Sequence, residues 1–154
     1  MTRVALASKA FWGYDAAFME ACRAELTVGA HDILQDPTFV IEAEGRILGF
    51  YQLRRHGAGA DVRLFFVAPE AVRSGIGRRL WAHLERTARA IGATRLEVDS
   101  DPHAEGFYCA MGMRRTGQAL SGSIAGRMLP HLVKDLARAP SNPATMARVA
   151  FNDP

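Results

Sequence analysis

Residues 64–80 limit what this chain can fold into more than any other segment. An apolar run (Leu64, Phe65, Phe66, Val67) reads as a strand, and a short loop carries it to Gly75-Ile76-Gly77, where an amphipathic helix starts. Ile76, Leu80, Leu84, Ala88 and Ile91 then recur at helical spacing until Gly92 stops the run. Glycine at a helix start lets the backbone approach a ligand closely, and the free N–H groups with the helix dipole favour an anion. Arg73, Arg78 and Arg79 add positive charge at the same place. The pattern describes a pyrophosphate cradle at the end of a strand. A Walker loop does not fit, because no lysine follows the glycines; a dinucleotide fingerprint does not fit either, because position 80 is Leu80.

The remaining chain reads as further helices and strands. Phe18, Cys22 and Leu26 behind Asp15 predict a helix over 15–26, with another over 4–11 ahead of Gly13. Residues 38–43 and 46–53 form an expected hairpin about Glu44-Gly45, followed by a loop at 56–59 and a strand at 61–67. Strands are expected at 95–99, 113–118 and 127–134, and a short helix at 104–111. A chain of 154 residues buries a core without staples, so residues 1–137 read as one domain. Residues 138–154 read as a tail, with a short helix from Asn142-Pro143 that carries Met146, Val149 and Ala150 on one face.

Composition removes several function classes. With 49% apolar and 23% charged residues the chain is an ordinary globular one, and no apolar run is long enough to span a bilayer. No signal-peptide pattern stands at residues 1–7. Two cysteines make no disulfide framework, so a reducing cytoplasm is expected. A net charge of +3 suits an anionic cofactor and is too small and scattered to indicate nucleic acid. His31, His56, His83, His103 and His131 fall in no metal-ligand grouping, so no metal is expected.

A second motif, residues 101–113 (Asp-Pro-His-Ala-Glu-Gly-Phe-Tyr-Cys-Ala-Met-Gly-Met), joins the first. Together they resemble the GNAT superfamily of N-acetyltransferases. Gly75 and Gly77 match the coenzyme A loop Q/R-x-x-G-x-G/A, although Val72 takes the Gln or Arg position and Arg73 stands one place on. Ala104, Phe107, Tyr108 and Gly112 match N-x-x-A-x-x-F-Y-x-x-x-G-F, with Asp101 for the Asn and Met113 for the aromatic. Residues 8–15 and 121–130 are similar to segments of one bacterial subgroup of the superfamily.

The resemblance implies an α/β fold, a mixed and mostly antiparallel GNAT-like sheet flanked by helices. Its usual first strand is expected to be missing or confined to residues 2–6, which leaves residues 38–43 as an unusual sheet edge. It further implies that acetyl-coenzyme A wedges between the strands ending at Val67 and Asp99. Phe66, Val67, Arg73, Ser74, Gly75, Ile76, Gly77, Arg78, Asp101 and Ala104 are the expected coenzyme contacts, and a backbone N–H near Phe66 or Val67 polarises the thioester carbonyl. Tyr108 is implied as general acid to the leaving thiolate. Trp12, Tyr14 and Phe39 fall where acceptors bind in such proteins.

The base is a reading from strand alternation alone. Asp61 is expected to share a face with Arg63, Phe65 and Val67, which makes it the candidate, with Glu42, Asp99 and a water chain as alternatives. Cys109 reads as a buried small hydrophobe, since no histidine shares its helical face. The expected function is direct acetyl transfer to the primary amine of a small molecule by a homodimer, the exposed sheet edge and apolar tail favouring association. A protein amine as acceptor is the alternative within the class. Val72 and Asp101 leave a non-catalytic acyl-coenzyme A binding module as the second reading, and a nucleotide-dependent enzyme is the third.

Overall fold

The computed structural model describes residues 1–136; the expected tail helix lies outside the described residues. In chain order the elements are α1 (Thr2–Ala10), α2 (Ala16–Ala21), α3 (Arg23–Leu26), α4 (Ala30–Gln35), β1 (Thr38–Ala43), β2 (Arg46–His56) and β3 (Gly59–Val67). Then follow α5 (Ile76–Ala90), β4 (Arg95–Asp99), α6 (Glu105–Ala110), β5 (Arg114–Leu120) and β6 (Met128–Asp135). The strands form one sheet in the order β1-β2-β3-β4-β6-β5, and every neighbouring pair is antiparallel except β3 and β4. No strand precedes Ser8 among the described residues, so β1 is the sheet edge, as expected. No described helix is long and apolar enough to cross a membrane.

Helices cover both faces of the sheet. On one, the apolar stripe of α5 (Leu80, Leu84, Ala88) packs on Tyr51, Leu53, Leu96 and Leu132. On the other, Ala5, Cys22 and Leu26 from α1 to α3 pack on Phe50, Leu64 and Phe66. The expected helix over 15–26 is α2 and α3 meeting at Cys22. Backbone bonds from Cys22 to Phe18 (3.1 Å) and from Leu26 to Cys22 (3.0 Å) keep it a kinked helical run and not a loop. Asp15 caps it through the Phe18 N–H at 2.8 Å. Helix α4 was not legible, because its two large apolar residues, Ile33 and Leu34, are both exposed and form no stripe. The expected loop at 56–59 is a two-residue turn, Gly57-Ala58, between β2 and β3.

Two features of β3 shape the middle of the sheet. Gln52 opposes Leu64 but Leu53 opposes Val62, so Arg63 is the extra residue of a β-bulge. The bulge resets the alternation. Val62 and Phe65 face the α5 core, while Leu64 and Phe66 face α1. Asp61 therefore does not share a face with Phe65, contrary to expectation. Second, the parallel ladder of β3 on β4 holds only Gly59 to Arg95, Ala60 to Leu96 and Asp61 to Glu97. Beyond those pairs the strands part.

Leu84 is fully buried at the centre of the α5 stripe. Leu84→Ala is expected to lower unfolding free energy by about 2–5 kcal/mol, read from urea denaturation.

Candidate active site

A cleft of about 620 Å³ opens where β3 and β4 part. Backbone groups of β3 that do not bond β2 point toward it, because an antiparallel strand alternates its N–H groups between its two sides. Phe66 and Val67 line the cleft from β3, Arg73, Gly75, Gly77 and Arg78 from the loop and the start of α5, and Asp101 and Ala104 from beyond β4. Gly75 has φ +87°, and Gly77 approaches the Phe107 ring so closely that a Cβ would lie 3.2 Å from it. The first turn of α5 leaves its N–H groups without intrahelical partners beside the cleft. Arg73 holds a left-handed backbone, φ +64°, and neither it nor Arg78 has an ion-pair partner among the described residues. The cradle fits a pyrophosphate group. Ser74 and Ile76 are not on its surface. The Ser74 hydroxyl donates to the Ala71 carbonyl at 2.6 Å, and Ile76 is buried against Ala68 and Ala71.

Tyr108 comes to the cleft on α6, buried among Phe65, Trp81 and Phe107. Its hydroxyl makes no hydrogen bond among the described residues. Burial, and then the charge of Asp101, pushes its pKa well above that of a free phenol, so it carries a proton at neutral pH. Its neighbour Cys109 points outward and is exposed, not buried as expected, because Tyr108 takes the inward face of this short helix.

Asp101 is the centre of a charged cluster that the motif pattern did not reveal. Lys9 donates to Oδ2 at 2.6 Å, Tyr14 to both oxygens at 2.9 Å, the His103 N–H to Oδ1 at 3.0 Å and Arg127 to Oδ2 at 3.2 Å. Arg127 also donates to the Tyr14 hydroxyl at 2.6 Å and lies over the Phe18 ring, 4.7 Å from its centroid. Burial alone raises the Asp101 pKa, but Lys9, the His103 N–H and Tyr14 outweigh it and hold the carboxyl below the usual carboxylate range. Burial and Asp101 push Tyr14 up to about 12. The one available signal was that Lys9 and Arg127 both fall in the segments similar to the bacterial subgroup. Trp12 lines the cleft and stacks on His103, centroids 5.1 Å apart; Tyr14 is tied into the Asp101 cluster instead.

Two expected residues are elsewhere. Phe39 packs on Tyr51 and on His83 of α5, at 5.3 and 4.8 Å between centroids, on the face away from α1. Asp61 bonds His56 Nε2 at 3.0 Å and lines a second cavity, of about 720 Å³, on the α1 side of the sheet. That cavity also holds Glu25, Arg54, Glu97, Asp99 and His131, and it meets the cleft at Asp99 and Leu129. His131 Nδ1 lies 2.7 Å from Asp99 Oδ1, a pairing hidden in the sequence because β6 inserts between β4 and β5. His56, Asp61 and Glu97 bring one ligand-type atom each within 4.8 Å. The same side chains also make the His56–Asp61 contact and the Arg95–Glu97 pair at 3.1 Å.

Because its folded pKa is depressed, Asp101 contributes stability that is present above the unfolded carboxylate pKa and lost as pH falls through the folded value. Asp101→Asn is expected to lower stability at neutral pH by about 3 kcal/mol, since Lys9 and Arg127 lose their anion. It is also expected to flatten the fall in stability between about pH 5 and pH 2, read by thermal melts across pH.

Known proteins share this fold. Residues 14–123 match the acetyltransferase (GNAT) domain. The 5-NmdU N-acetyltransferase of Pseudomonas phage PaMx11 is 34% identical over 85 residues, a match spanning 54% of this chain and 61% of the phage protein's length. Among solved structures, a GCN5-related N-acetyltransferase of Rhodopseudomonas palustris superposes with TM-score 0.72 at 24% identity, covering 88% of this chain and 87% of that one. The PaiA N-acetyltransferase of Thermoplasma acidophilum, in complex with coenzyme A, gives 0.67 at 18%, covering 87% and 89%. With the domain match over most of its length, a strand-splaying cleft and a glycine-arginine helix start, the chain belongs to the GNAT acetyltransferase family.

Proposed function

We propose that this chain moves the acetyl group of acetyl-coenzyme A directly to the primary amine of a small molecule. The observation that carries the reading is Tyr108, a protonated and unpartnered phenol facing a cleft that ends in the cradle at Gly75 and Gly77. The thioester of acetyl-coenzyme A supplies the activated acetyl group. Free N–H groups of α5, with Arg73 and Arg78, hold the pyrophosphate. Unpaired N–H groups at the end of β3, near Phe66 and Val67, stabilise negative charge on the carbonyl oxygen. Tyr108 donates its proton to the departing sulfur. The coenzyme A complex of the PaiA enzyme supports this choice of co-substrate. Free Cys22 and Cys109 support a reducing compartment, and the edge of β1, unpaired among the described residues and with Val40 exposed, supports a homodimer.

Isothermal calorimetry with acetyl-coenzyme A tests the cradle. Arg73→Glu is expected to weaken binding roughly tenfold or more, the loss of one charge-assisted contact. Wild-type protein that binds no acetyl-coenzyme A overturns the reading. Tyr108→Phe is expected to lower kcat by roughly 10²–10⁴-fold while coenzyme affinity stays within twofold, as befits a lost general acid; an unchanged kcat removes Tyr108 from the mechanism.

A further inference from the structure

The second cavity gives this reaction a proton acceptor that no motif identifies. Its floor is the α1-facing side of β3, β4 and β6. Asp61 pairs with Glu97 across β3 and β4, and Asp99 with His131 across β4 and β6, so all four side chains rise from one face. The charged groups lining the cavity with His131 are Asp99 and Glu97 on β4, Asp61 and Arg63 on β3, Arg54 on β2 and Glu25 on α3; Asp99 and Glu97 lie against the imidazole, and His56 against Asp61. Carboxylates outnumber guanidinium groups four to two there, which favours a cationic guest. Asp99 and Arg63 line this cavity and the cleft alike, so the two adjoin near the point where β3 and β4 part.

We infer that His131, oriented by Asp99, is the general base that takes the proton from the incoming ammonium group; the inference rests on the acetyl-transfer reading above. Asp99 Oδ1 accepts from Nδ1–H at 2.7 Å, which fixes the tautomer and leaves the lone pair on Nε2. Glu97 Oε2, 3.6 Å from Nε2, is too distant to occupy that lone pair with a hydrogen bond. Asp61 is already paired, its Oδ1 lying 3.0 Å from His56 Nε2.

The protons balance. R–NH₃⁺ gives one proton to His131 Nε2. The freed lone pair forms the C–N bond, and the C–S bond breaks with its electron pair on sulfur. Sulfur takes the Tyr108 proton, and the second proton leaving nitrogen restores Tyr108 through water. His131 then releases its proton to solvent. Asp99 is a positioning residue throughout.

The test uses wild-type and His131→Gln protein with acetyl-coenzyme A and a panel of polyamines, arylalkylamines, amino sugars and amino acids, followed by a pH series on the amine turned over fastest. His131→Gln is expected to lower kcat by roughly 10²–10⁴-fold. It should leave the calorimetric Kd for acetyl-coenzyme A unchanged, which also reports that the variant is folded. The rate should then rise with pH in step with the free-base fraction of the amine, without the plateau that an imidazole base produces. His131→Ala should recover turnover with added imidazole, and Asp99→Asn should shift the acid limb of the pH profile with a smaller loss of kcat. A wild-type kcat and pH profile in His131→Gln overturns the inference and leaves the acetyl-transfer reading standing. Wild-type protein that binds acetyl-coenzyme A yet acetylates no amine overturns both.

Discussion

The short parallel ladder between β3 and β4 is the constraint on which the site depends. After the pair Asp61–Glu97 the two strands separate, and the backbone polar groups they would have exchanged are left facing an opening in the middle of the sheet. Such groups are costly to bury unpaired, so the opening calls for water or a polar ligand. The bulge at Arg63 sits just past the last pair. An inserted residue bends its strand and increases local twist, which is the distortion needed to swing Val62–Val67 away from β4. Helix α5 then fixes the outcome, for its apolar stripe holds both strands from one face while its N-terminus lies at the mouth of the gap.

A second element of rigidity comes from Asp101. One carboxylate ties α1 through Lys9, the segment before α2 through Tyr14, and the turn before β6 through Arg127. These are three stretches of chain that share no β-ladder with one another. A partly buried anion satisfied by several donors sets their relative position sharply, because each alternative arrangement strands a charge. The walls of the cleft and of the adjoining cavity are thereby held by one group.

How much of this was legible in the sequence follows from range. The stripe of α5 and the absence of a strand before Ser8 are local patterns and stand as read, and the motif residues Gly75, Gly77 and Tyr108 all line the cleft. Asp61 falls on the opposite face from Phe65 because alternation resets at Arg63, and a bulge has no reliable mark in a single sequence. Phe39 lies off the cleft for a related reason. It is aromatic and semi-exposed in a strand, and only its register opposite Tyr51 reveals which face it takes. The pairing of Asp99 with His131 depends on β6 inserting beside β4, a choice of topology between segments far apart in the chain. Sequence reading therefore reaches what a local pattern or motif places, and not the pairings that strand order assembles.

Arg73 carries a consequence for how this protein can change. A left-handed backbone costs an ordinary L-residue about 1–2 kcal/mol, against the extra chain entropy of about 0.5–1 kcal/mol that glycine would lose on folding. The position accordingly exerts a steady pull toward glycine on stability grounds, while its guanidinium at the cleft mouth pulls toward arginine. On the proposed reading, heat tolerance and coenzyme affinity are opposed at this single residue, and selection for thermal robustness alone would erode the charge.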